Sequence, residues 1–111
     1  MNDRDRQSLL DIINSANLAT DYLAGTTRDE FLTDRILQDA IVRRIEVAGE
    51  AARRLSDAAR NELDDINWPK VVGMRNIMIH QYDRVNFRLV WETATEMLPE
   101  LARKLETYLE A

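Results

Sequence analysis

The chain reads as an all-α protein, an antiparallel up-and-down bundle of four main helices plus a short one. Three observations lead there. Apolar residues recur at steps of three and four through long segments, the period of a helix with one buried face. No segment shows the strict apolar–polar alternation of a half-buried strand. With 3 Gly and 2 Pro in 111 residues, there are few places where the backbone is invited to turn.

The first helix is expected from about Asp3 to Leu23, with Leu9, Ile13, Ala16 and Leu23 along one face. It should stop at "AGTT", where Gly25 suits a C-terminal cap and Thr27 an N-cap for the next helix. The second helix is expected from about Arg28 to Leu55, carrying Leu37, Ile41, Ile45, Ala48, Ala52 and Leu55 at helical spacing. A further line of Ile36, Ala40, Val47 and Ala51 widens its apolar face to about half the circumference, more than one small bundle covers. Ser56 then caps a short helix to about Leu63. "DDINWPKVV" leads into a helix from about Pro69 to His80, with proline placed early, where its missing N–H costs nothing. The last helix runs from about Phe87 to Tyr108, its apolar residues alternating steps of four and three, and Pro99 should bend it.

Length points to a single domain, 1–111. The absence of cysteine excludes disulfides, thiolate nucleophiles and Cys-based zinc sites, and fits a cytoplasmic protein. The polar start "MNDRDRQSLL" suggests neither a signal peptide nor a membrane span. A net charge of −5 argues against indiscriminate coating with nucleic acid. Yet 13 of the 15 basic residues are arginine, the side chain that grips phosphate or carboxylate through two parallel N–H bonds.

One stretch resists a purely structural reading: "RNIMIHQY", residues 75–82, with the chain's only histidine. On a helical projection Trp68, Val71, Val72, Met78, Ile79 and Tyr82 fall within about 60° of Arg75, which places a guanidinium in the middle of an apolar face and not on its rim. Such a group needs an anion, and Glu46 and Glu50 on the second helix are candidates for a structural ion pair. Arg44 repeats the pattern between the two apolar lines of that helix. His80 falls about 140° from Arg75, so the two meet only if the helix unwinds near "HQYD" or a second copy of the chain supplies one of them. There is no second histidine and no convincing carboxylate cluster, so neither a metal nor another cofactor is expected.

The spacing Arg75, four residues, His80, one residue, Tyr82 resembles the Arg-x4-His-x-Tyr motif of HepT-type toxins in the HEPN superfamily. "DAIVRRIEVAGEAARRLS" resembles that family's second helix, and "INWPKVVGMRNIMIHQYDRVNFRLVWE" its motif helix, turn and following helix. The resemblance implies a HEPN-like bundle that forms a homodimer with the motifs facing each other. It also implies a metal-independent endoribonuclease that cleaves RNA by attack of a ribose 2′-hydroxyl on the adjacent phosphate. Arg75 and His80 would be catalytic, with Tyr82 and Asn76 lining the site. Similarity to HepT-type toxins further implies an MntA-type nucleotidyltransferase antitoxin as partner, with the Tyr82 hydroxyl as the acceptor of AMP. Arg44, Glu50 and Arg84 are candidate RNA or interface contacts, as are Arg53, Arg54 and Arg88; if the dimer forms through the side that carries Glu50, that carboxylate would also orient Arg75 of either chain. The competing reading is a non-catalytic HEPN module that binds a nucleotide or partner protein through the dimer groove.

Overall fold

In the computed structural model the described residues are 1–80 and 85–110, with the backbone alone for 76–80. They form an all-helical bundle, with no strand among the described residues. Helix α1 spans Asp3–Leu23, the range expected from its periodicity. Asn2 caps it by accepting from the Asp5 N–H, and buried Leu9, Ile12, Ile13, Ala16 and Ala19 form the face that packs on the rest. Gly25 follows at φ +76°, the left-handed backbone that ends the helix and that glycine adopts without strain.

The stretch read as one helix from Arg28 to Leu55 is two. Helix α2 covers only Arg28–Phe31, started by a capping box in which Thr27 accepts from the Glu30 N–H and the Glu30 side chain accepts from the Thr27 N–H. Helix α3 then begins afresh at Arg35–Arg53, with the Asp34 side chain accepting from the Leu37 N–H. The break is held by tertiary contacts. Phe31 is fully buried, with its ring centroid 5.5 Å from that of Trp91, and the buried Gln38 amide donates to the Phe31 carbonyl at 3.0 Å. A carbonyl that a continuous helix would have satisfied internally is thereby paired.

Helix α4, Asp57–Glu62, starts at Ser56 as expected. Ser56 also ties the bundle together, because its N–H and hydroxyl both donate to the buried Asp5 carboxylate, at 2.9 and 2.7 Å. These bonds, the backbone N–H first, hold the Asp5 carboxyl below the usual aspartate range. Together with the Ser15 hydroxyl donating to the Arg44 carbonyl at 2.8 Å, they set α1 and α3 antiparallel.

Helix α5 spans Trp68–His80, and the Trp68 indole N–H donates to the Leu63 carbonyl at 3.1 Å. It packs on α3, while α1 packs on both α3 and the C-terminal segment. That last segment is not one uniform helix. Helix α6, Phe87–Glu92, passes into a π-helical turn at Thr93–Met97 and then helix α7, Leu98–Glu110. Pro99 explains the interruption: it offers no N–H to the carbonyl four residues back, and its ring crowds that carbonyl. The backbone answers with a widened turn, in which the Leu98 N–H reaches back to the Thr93 carbonyl. Among the described residues no helix is long and apolar enough to cross a membrane.

Candidate functional site

The crossing of α3 and α5 gathers the charged residues that the apolar pattern did not explain. Along α5, Trp68, Val71 and Met74 are buried against the core, and Arg75 follows at the edge of that face rather than in its middle, where the helical projection puts it, because the buried line runs through Met74 while Val72 stays half-exposed. Its side chain is 26% exposed, so it is neither sealed in the core nor free in solvent. Arg75 Nε lies 2.7 Å from Glu50 Oε2 on α3. The nearer Glu50 oxygen is itself shielded from water, while the side chain as a whole is 41% exposed. The contact has the distance of a tight ion pair but lacks the alignment of a hydrogen bond, which leaves that oxygen without a hydrogen-bonding partner.

The helices approach this closely because position 49 has no side chain. A Cβ built on Gly49 would lie 2.7 Å from the Arg75 Cβ and 3.5 Å from its Cα and N, so even alanine would force the helices apart. In front of the pair is an open cavity of about 350 Å3, lined by Arg43, Glu46, Val47, Glu50, Arg54 and Arg75. Arg43 lies 3.8 Å from Glu46 and Arg54 3.2 Å from Asp11, both pairs at least partly open to solvent. Solvent-accessible pairs of this kind are held weakly, so these guanidinium groups remain available to an incoming anion.

Of the residues singled out in the sequence, Arg75 and Glu50 therefore come together within one chain. Glu46, the other candidate partner, pairs with Arg43 instead. Arg44 does not join them. It is half-buried further along α3 and lines a separate cavity of about 480 Å3 with Tyr22, Asp34, Ile36, Leu37 and Ala40. Arg53 and Arg88 are exposed. Tyr82 and Arg84 lie outside the described residues, as do the side chains of Asn76 and His80. The α5 backbone stays helical through His80, so no unwinding before that residue carries it toward Arg75. Positions five apart on a continuous helix point about 140° apart. Among the described residues no three His, Asp or Glu side chains gather closely enough to hold a metal ion.

Two features of the site were missed in the sequence. Gly49 is one, and its only signal was a glycine in mid-helix, where it costs about 1 kcal/mol relative to alanine and so usually has a packing reason. Arg54's tie to Asp11 is the other, and nothing local predicts a pair 43 residues apart.

The profile of a family described as "Ribonuclease HepT-like" matches residues 12–108. A Methanocaldococcus jannaschii protein named as a candidate RNase is 31% identical over 107 residues, which cover 96% of this chain and 98% of the relative. A second candidate RNase, from Caldanaerobacter subterraneus subsp. tengcongensis, is 31% identical over 105 residues, covering 95% of this chain and 94% of its own. A Thermococcus cleftensis protein named as a candidate ribonuclease HepT is 31% identical over 98 residues, covering 88% and 89%. No solved structure matches the chain.

Proposed function

The chain belongs to the ribonuclease HepT-like family, and on that premise we propose that it is a metal-independent endoribonuclease. On this reading one helical domain, 1–111, acts in the cytoplasm as the toxin of a HepT/MntA-type pair. The observation that carries the reading is the state of Arg75: partly exposed, ion-paired at Nε with Glu50, and facing an open cavity that two further arginines share. An arginine serving only to close a buried ion pair needs no cavity in front of it.

The chemistry rests on the groups available. An unperturbed imidazole has a pKa near 6.5, in the range for proton exchange at neutral pH, and His80 is the chain's one imidazole. As base it removes the proton of a ribose 2′-hydroxyl, and that oxygen attacks the adjacent phosphorus. The bond to the 5′ oxygen of the next nucleotide breaks, leaving a cyclic 2′,3′-phosphate and a 5′-hydroxyl. Charge built up on the non-bridging oxygens meets the Arg75 guanidinium, whose fork geometry matches two such oxygens. The departing 5′ oxygen needs a proton. One imidazole does not readily act as base and acid in a single step, and His80 of the partner subunit supplies the second.

Two observations support such a homodimer. Positions 75 and 80 diverge on one continuous helix, so a site that uses both is more readily completed by a second copy. And α3 leaves an apolar stripe uncovered: Ile36 is 84% exposed, with Ala40 and Val47 half-buried along the same line. Val47 also lines the Arg75 cavity, so pairing through this stripe would bring two such cavities to the two-fold axis. Arg44 and Arg84 would then contact RNA or the opposing copy. Tyr82, with Asn76 beside Arg75, would line the cleft and accept AMP from an MntA-type nucleotidyltransferase, placing phosphate where RNA has to enter.

The test is cleavage of RNA by purified protein in EDTA. Wild type should cut, while His80→Ala should lose cutting and Arg75→Ala should cut far more slowly, both keeping the helical circular dichroism of the parent. Equal cleavage by His80→Ala protein would reject the mechanism. RNA binding without turnover by the wild type would favour the non-catalytic module.

A further inference from the structure

Consecutive residues of α3 grip the two ends of one α5 side chain. Gly49 meets the root of Arg75, since a Cβ there would lie 2.7 Å from the Arg75 Cβ. Glu50 meets the far end, 2.7 Å from Nε. A guanidinium has five N–H donors, and a charge contact at the Nε end leaves both terminal NH2 groups available. Glu50 Oε2 is shielded from water and has no hydrogen-bond partner, so apart from Arg75 it has no competing attachment among the described residues. Both contacts come from the same chain as the arginine, so they persist whether or not a second copy is present.

We propose that the Gly49–Glu50 pair is a positioning device for Arg75, holding its guanidinium by Nε so that the terminal nitrogens face the cavity before substrate arrives. This rests on the ribonuclease reading above, in which Arg75 meets the phosphate. The physical need is rotamer freedom. An arginine on an open cavity samples many orientations and loses that freedom on binding, and prior alignment removes the loss at the moment of reaction. Glu50 does so at the expense of a negative charge beside a phosphate site. Removing that charge would help RNA bind by simple electrostatics, so the device makes an unusual prediction: better or equal binding with slower chemistry. It also explains the need for arginine, because a lysine held by Glu50 has its remaining donors on the same single nitrogen and cannot present a planar fork of two.

The experiment compares wild type with Glu50→Ala, Glu50→Gln, Arg75→Ala, Arg75→Lys and the Glu50→Ala/Arg75→Ala double variant. Single-turnover cleavage and RNA titrations are run on each. Glu50→Ala should lower the cleavage rate about 10- to 100-fold, by analogy with the loss when a group that orients a metal ligand is removed. KM should stay level or fall. Glu50→Gln, which keeps an acceptor without the charge, should recover part of the rate. In the Arg75→Ala background the Glu50 change should cost nothing further, because the group it positions is gone. Undiminished cleavage by Glu50→Ala, or losses that multiply in the double variant, would overturn the proposal. A second readout is independent of activity: the Arg75 Nε–H resonance, assigned by its absence in Arg75→Lys, should shift in Glu50→Gln protein. If wild type cleaves nothing, the ribonuclease reading fails, and an unmoved Nε–H signal would separately reject the positioning.

Discussion

Replacing Arg75 by methionine separates an arginine kept for its charge from one kept for packing. Methionine retains most of the apolar stem beside Gly49 and removes the guanidinium. The ion pair it breaks is modest, because the arginine is 26% and the glutamate 41% exposed, and both can reach water. Half-exposed pairs contribute about 0–1 kcal/mol. The nearer Glu50 oxygen loses its cation, but the side chain can swing into the 350 Å3 cavity and hydrate. We therefore expect a stability change within about 1 kcal/mol, or roughly 4 °C in melting temperature for a domain of this size. Loss of a donor that stabilises transition-state charge costs about 100- to 1,000-fold in rate, about 2.7–4 kcal/mol. The assay pairs thermal melting by circular dichroism with cleavage of a fluorescent RNA in EDTA. Arg75→Met protein that melts higher than wild type and cleaves as fast would refute the reasoning and leave Arg75 as a structural ion pair.

Gly49→Ala should destabilise the fold by about 1–3 kcal/mol, reversing the usual gain from alanine in a helix, because its Cβ has no room against Arg75. Chemical denaturation measures this, and cleavage should fall with it. Ile36→Glu places a charge on the most exposed large apolar residue of α3. Analytical ultracentrifugation should show it monomeric where wild type is dimeric, with an unchanged melting curve at low concentration. A wild type that sediments as a monomer would contradict the composite site. Asp5→Asn should lower melting temperature near neutral pH. The folded Asp5 carboxyl has a lowered pKa, so its contribution is complete above the ordinary value of 3.8 and disappears as pH falls through the folded one. The gap between variant and wild type should thus narrow below pH 4 in melting scans taken from pH 7 to 2, and a constant gap would reject the linkage.

The sequence alone determined what local chemistry governs. The period of Leu9, Ile13 and Ala16 marked the buried face of α1, and Gly25, Thr27 and Ser56 marked turns and caps that the structure keeps. These signals work because caps and faces depend on residues within one or two helical turns. The same local reading ran α2 into α3, because the apolar period continues across Thr33 and Asp34, whereas the break is held by Phe31 against Trp91, sixty residues away along the chain. It expected a bend at Pro99, without the means to foresee a π-helical turn. For the site, the motif and the misfit of Arg75 were legible, and Glu46 and Glu50 were both candidate partners, Glu50 as the residue that would orient Arg75 of either chain. Only the tertiary structure decided between them. A helix–helix crossing is set by where side chains are small enough to let backbones approach, and the missing side chain at Gly49 brings Glu50, and not Glu46, to the guanidinium.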